Sequence, residues 1–108
     1  MADPAILVIT NVPDHALADS LARELLDRRL AACVNIGAPV QSIYHWHARI
    51  ETGQELPVVI KTRTALYSSV EDAIRKIHPY DTPEIIAIPV VDGDARYLAW
   101  LREETTQA

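Results

Sequence analysis

The stretch VQSIYHWHARIETGQELPVVIKT, residues 40–62, is rich in β-branched and aromatic residues and is split by Thr52-Gly53-Gln54. Side chains that suit a pleated surface, on either side of a glycine-bearing turn signal, predict a hairpin. Val40–Glu51 runs out and Glu55–Thr62 returns. Upstream, Ala31-Ala32-Cys33-Val34-Asn35-Ile36 begins the outgoing strand. Gly37 and Pro39 interrupt it, which predicts a bulge or bend rather than an end.

Helical periodicity frames this hairpin. From His15 to Leu30, Leu17, Leu21 and Leu25 recur every fourth residue with Ala18, Ala22 and Leu26 alongside, and Asp14 stands where an N-cap belongs. From Ala65 to Ile77, Leu66, Val70, Ala73, Ile74 and Ile77 form one stripe, and His78-Pro79 ends it because a residue before proline avoids helical geometry. Ala5–Thr10 and Glu84–Val91 read as short strands. The first is apolar on both faces, as a central strand covered by helices would be. Asp94 is placed to cap a last helix carrying Tyr97, Leu98 and Leu101. The order is therefore βαββαβ plus a C-terminal helix. This is an α+β, ferredoxin-like arrangement with an antiparallel sheet, a long hairpin between its second and third strands, and both long helices on one face. Residues 1–108 contain no linker or low-complexity segment and read as a single domain.

Composition narrows the function. A formal charge of −5, with basic residues scattered, argues against nucleic acid, which needs a clustered basic surface. The one cysteine, Cys33, excludes an internal disulfide and a cysteine-rich zinc site. Amid Ala31, Ala32 and Val34 it reads as core filler rather than a soft ligand. Met1-Ala2-Asp3-Pro4 has no basic leader, and the apolar run Ile85–Val91 is broken by Pro89, so neither a signal peptide nor a membrane span is expected. The expected location is the cytoplasm. Three isolated glycines form no phosphate-cradling loop, and no nucleophile elbow or zinc-protease pair occurs. Glu51 and Glu55 flank the expected turn with nothing beside them that marks an acid–base site. The chain reads as non-enzymatic.

Two features point to a partner. A long second strand at a sheet edge leaves backbone groups unpaired. On that strand Tyr44 and Trp46 are two apart and share a face, where they either meet another subunit or cover the far end of the chain's own core. His45 and His47 are likewise two apart and, on a strand, would leave one face together. They are either a two-imidazole site suited to Cu²⁺ or Zn²⁺, or solvated residues of the outer face.

Several strings, in order along nearly the whole chain, resemble the CutA family of divalent-cation tolerance proteins. They are Thr10-Asn11-Val12-Pro13-Asp14, Arg29-Leu30-Ala31-Ala32-Cys33-Val34-Asn35, Ser42-Ile43-Tyr44-His45-Trp46, Ile50-Glu51, Ile60-Lys61-Thr62 and His78-Pro79-Tyr80-Asp81-Thr82-Pro83-Glu84-Ile85. Ala48 stands where most members carry glycine. The resemblance implies a compact homotrimer similar in design to PII-type signalling proteins, with a role in tolerance to divalent cations, copper above all. It implies a site at the subunit junction that includes His78, a candidate metal ligand. Some members add a histidine and a cysteine there, at the positions of Ile77 and Thr10. Asn11, Lys61, Tyr80 and Glu84 also match family strings and, with Trp46, are expected to line a ligand cleft between subunits. Three readings follow: a homotrimer binding Cu²⁺ or Zn²⁺, a PII-like sensor with a metabolite in that cleft, or a structural, anchoring trimer.

Overall fold

The computed structural model describes residues 3–106. The elements run β1 (Ala5–Val12), α1 (His15–Asp27), β2 (Cys33–Ile36), β3 (Val40–Trp46), β4 (Arg49–Arg63), α2 (Tyr67–Ile77), β5 (Ile86–Pro89) and α3 (Ala95–Glu104), with a single 3₁₀ turn, Thr64–Leu66, leading into α2. Strand order is β2-β4-β1-β5, and β3 continues the β2 edge along β4. Every pairing is antiparallel. The expected ferredoxin-like α+β arrangement is present, with β1 and β4 central.

The interruption at Gly37 is a bulge. Ile36 pairs with Val58 and Val40 with Glu55, so residues 37–39 face only residues 56–57. Gly37 donates its N–H to the Pro57 carbonyl at 2.8 Å. A Cβ there would lie 2.8 Å from Pro57 Cγ, so only glycine lets the two backbones approach this closely.

Strand alternation sets the core. Ile6, Val8 and Val12 of β1 and Val58 and Ile60 of β4 are buried against Ala18, Leu21 and Leu25 of α1 and Val70, Ala73 and Ile74 of α2. Both long helices thus cover one face. The other face carries Leu7 and Ile9 of β1, Val59 of β4 and Ile86 and Ile88 of β5, none of them buried. β1 is central, as expected, but helices cover only one of its two apolar faces. Cys33 pairs opposite Lys61 on this open face and is only partly buried, so it does not fill the core.

Helix α1 starts where Asp14 Oδ1 accepts the Leu17 N–H at 2.8 Å. It stops before Leu30 because Arg29 adopts φ 54° and the chain doubles back. The Leu30 N–H then bonds the Leu25 carbonyl and the Arg29 N–H bonds that of Leu26, a Schellman closure that returns Leu30 to the core. Helix α3, capped by Asp94 as expected, is clasped to the sheet through Arg63. That guanidinium donates to Thr105 Oγ1 at 3.0 Å and to the Thr105 carbonyl at 2.8 Å, and it pairs with Asp3.

Candidate functional site

The hairpin turns five residues earlier than its glycine suggests. The turn residues are His47 and Ala48, with φ 50° and 63°, between Trp46 and its partner Arg49. Two consecutive left-handed residues are what a tight hairpin needs to follow the strand twist. Gly53 instead lies within the 15-residue β4, opposite Ser42, with the Tyr44 hydroxyl over its open side. Glu51 and Glu55 therefore do not flank a turn but lie along β4, opposite Tyr44 and Val40. His47 leaves the strand, so alternation no longer places its imidazole beside that of His45. Its ring stacks edge-on against Trp46 at 4.7 Å between centroids.

With this register, Tyr44 and Trp46 share a face with Glu55, because directly paired residues point the same way. They border a cleft of about 710 Å³ that is closed on its other side by the loop after α2. Asn11, Ser42, Tyr44, Trp46, Glu55 and Tyr80 are among its walls, with Asp81 and Glu84 from the loop and His45 from the hairpin. Of the five residues expected to line a cleft between subunits, Asn11, Trp46, Tyr80 and Glu84 line this cleft of the single chain. Lys61 does not. It pairs with Leu7, four positions along β4 from the Pro57 that faces Asn11, roughly 13 Å away at the rise of a strand. Glu55 was missed because the turn was expected beside it. The shared face of Tyr44 and Glu55 follows from alternation once the turn is set at Ala48.

His78 holds the loop in place. Its Nδ1 accepts the Tyr80 backbone N–H at 3.3 Å, which leaves the ring proton on Nε2 to be donated to the Asn11 carbonyl at 2.7 Å. The ring is 8% exposed and lies 4.6 Å from that of Tyr80. Asn11 in turn donates its amide to Glu84 Oε1 at 3.2 Å. The Tyr80 hydroxyl bonds Glu55. Desolvation first, then the charge and hydrogen bond of Glu55 and the neighbouring Tyr44, push the Tyr80 phenol above its ordinary range.

A metal finds less here. Both His78 nitrogens are used within the chain, and ligation would displace one of those bonds. Among the described residues no group of three or more His, Cys, Asp or Glu side chains is placed to hold an ion. At the position of Thr10 the hydroxyl is fully buried without a hydrogen-bond partner.

A ferredoxin-like sheet with one apolar face left uncovered by the long helices, a projecting hairpin and a cleft at its base places the chain in the class of small α+β ferredoxin-like proteins. The family model described as CutA1 divalent ion tolerance protein matches residues 6–104. The chain belongs to that family. The divalent-cation tolerance protein CutA of Thermus thermophilus is 40% identical over 99 residues, covering 92% of this chain and 96% of that one. Human Protein CutA is 41% identical over 93 residues, 86% of this chain, which spans only 52% of the human protein. The solved Cut A1 from Thermus thermophilus superposes with a TM-score of 0.92 at 39% identity, covering 94% of this chain and 99% of that one. CutA1 from Oryza sativa gives 0.92 at 36% identity, covering 97% and 96%. No helix among the described residues is long and apolar enough to cross a membrane.

Proposed function

We propose that this chain acts as a non-enzymatic homotrimer in the cytoplasm, with a small ligand held in the cleft between the Tyr44–Trp46 strand and the Tyr80–Glu84 loop. The observation that carries this reading is the convergence of Asn11, Trp46, Tyr80 and Glu84 on one cleft of about 710 Å³, a volume typical of small-molecule sites. Assembly is supported by the bare sheet face and by Ile43, Tyr44, Trp46 and Ile50, which are 65, 45, 44 and 70% exposed on the projecting hairpin. Apolar surface of that kind marks a partner. Three-fold closure requires a head-to-tail contact, in which one subunit's hairpin meets a different surface of the next.

Direct binding of Cu²⁺ or Zn²⁺, by His78 or by His45 and His47, is the second reading, and the family's description favours it. Native mass spectrometry with and without a modest excess of each metal separates the two. A trimer that stays metal-free but is thermally stabilised by a small molecule supports the cleft. A trimer retaining one metal per subunit, lost on His78→Ala, supports the metal reading. A monomer removes both.

A further inference from the structure

We infer that α3 is a strap latched by the segment Asp3–Pro4, and that strap and segment release together, apart from the sheet, through the contact of Asp3 with Arg63.

Every bond of the latch runs within one subunit, so the latch does not depend on what covers the outer surface in an assembly. Arg63 ends β4 two residues beyond Lys61 and so stands on the same open side of the sheet. Its guanidinium donates from Nε to the Thr105 hydroxyl at 3.0 Å and from Nη2 to the Thr105 carbonyl at 2.8 Å, which leaves Nη1 for the Asp3 carboxylate. The other carboxylate oxygen of Asp3 accepts the Ala65 N–H at 2.7 Å, and the Asp3 backbone carbonyl accepts from Arg102 of α3 at 2.8 Å. Next to it, the Pro4 carbonyl accepts both the N–H and the hydroxyl of Thr64 at 3.0 Å. Asp3 is thus bonded to the end of β4, to the turn that follows and to α3. Thr105, the C-cap of α3, is fully buried, and its hydroxyl carries the chain of bonds on to the Leu101 carbonyl at 2.8 Å.

The seat of α3 depends on Asp3 because Arg63 does. The Arg63 side chain is only 19% exposed and takes Asp3 as its counter-charge, and a largely buried guanidinium without one is costly. Once that charge is removed, Arg63 turns to water and gives up both bonds to Thr105. The carbonyls that end a helix have no partner within it, so α3 then loses the group that caps it against the sheet. On its other side α3 meets Arg29, which reaches the Glu104 carbonyl at 3.3 Å and the Glu104 carboxylate at 3.5 Å. Those two side chains are half exposed, and such a pair contributes little.

The latch is closed at neutral pH. Burial raises the Asp3 pKa, but the hydrogen bonds from Arg63 and Ala65 outweigh it, together with the charges of Arg63 on β4 and Arg102 on α3 that face the carboxylate. They hold it below the ordinary 3.8. A group with a depressed folded value contributes stability that is complete above its unfolded value and is lost as pH falls through the folded one. Mild acid therefore leaves the latch shut, and loss of the carboxylate opens it.

The test is hydrogen exchange of the full chain at pH 7, with stoichiometry followed by native mass spectrometry. Wild type is compared with Asp3→Asn, which keeps the shape and removes the charge, with Arg63→Lys, which keeps the charge but cannot bond Thr105 twice, and with the double variant. Each single variant is expected to speed exchange of residues 95–106 and of the 64–66 turn about tenfold or more, with β1 and the rest of β4 unchanged. The double variant should exchange no faster than the faster single one, because both substitutions break one contact. Unchanged exchange of α3 in Asp3→Asn overturns the role of Asp3. Acceleration spread evenly over α3 and the sheet makes α3 part of the core and overturns the strap. Effects that add in the double variant mean two separate ties and overturn the single latch. If Asp3→Asn alters the stoichiometry, the junction serves assembly, and the inference falls.

Discussion

His78 donates its Nε2 proton to the Asn11 carbonyl at 2.7 Å and so ties the end of α2 to the end of β1. The same ring orders the cleft loop by accepting the Tyr80 N–H. Removing it leaves a carbonyl and an N–H without partners, each costing about 1–3 kcal/mol where water cannot reach. His78→Ala is therefore expected to lower the urea midpoint by an amount equivalent to about 2 kcal/mol or more, at fixed protein concentration. The Tyr80–Glu84 loop should exchange amide protons faster than the rest of the chain. An unchanged midpoint would show that the ring is not a structural tie.

Ala48 holds φ 63° in a turn that has no glycine. A side chain in the left-handed region costs about 1–2 kcal/mol, partly offset in glycine by greater freedom of the unfolded chain. Ala48→Gly should stabilise by about 1 kcal/mol, and Ala48→Val should destabilise by more than that. Thermal melting of the two variants reads the sign. Equal shifts in one direction would mean that the turn is not the two-residue type described.

This turn also explains where sequence reading succeeded and where it stopped. Element order, the central place of β1 and the bulge at Gly37 were legible because each rests on a local pattern: a run of β-branched residues, a period of nearly four, a glycine beside a proline. The turn was not, since His47-Ala48 carries no turn chemistry and Gly53, which does, serves to pack beneath Tyr44. One misplaced turn moved Glu55 out of the site and put His47 on the wrong element. Asn11, Trp46, Tyr80 and Glu84, all within family strings, do line one cleft of the chain. Lys61 lies within β4, outside the walls that one chain supplies by itself to this cleft. The role of His78 was hidden, because a residue's acceptor and donor partners depend on tertiary approach across 67 positions of sequence.

Thr10 is fully buried on the helix-covered face of β1, and its hydroxyl makes no hydrogen bond. Valine has nearly the same shape and no polar group to strand. Thr10→Val is expected to raise stability by about 1 kcal/mol, since an unpaired buried hydroxyl costs about that much or more. Chemical denaturation checks the direction. A loss of stability would reveal a partner for the hydroxyl, such as an internal water or a neighbouring subunit.

Tyr80 and Glu55 make the electrostatics of the cleft measurable without any ligand. Desolvation, the Glu55 charge and its hydrogen bond to the phenol all disfavour phenolate, so Tyr80 ionises above its ordinary range. A group whose folded value is raised contributes stability that is complete below its unfolded value, about 10, and is lost as pH rises through the folded value. Glu55→Gln removes the charge and so should lower the Tyr80 value toward ordinary phenol. The alkaline side of the stability curve should become less steep above about pH 10. Ultraviolet titration of phenolate, with Tyr80→Phe identifying the signal, follows this directly. A Tyr80 signal that does not move in Glu55→Gln would place the negative potential of the cleft elsewhere than at Glu55.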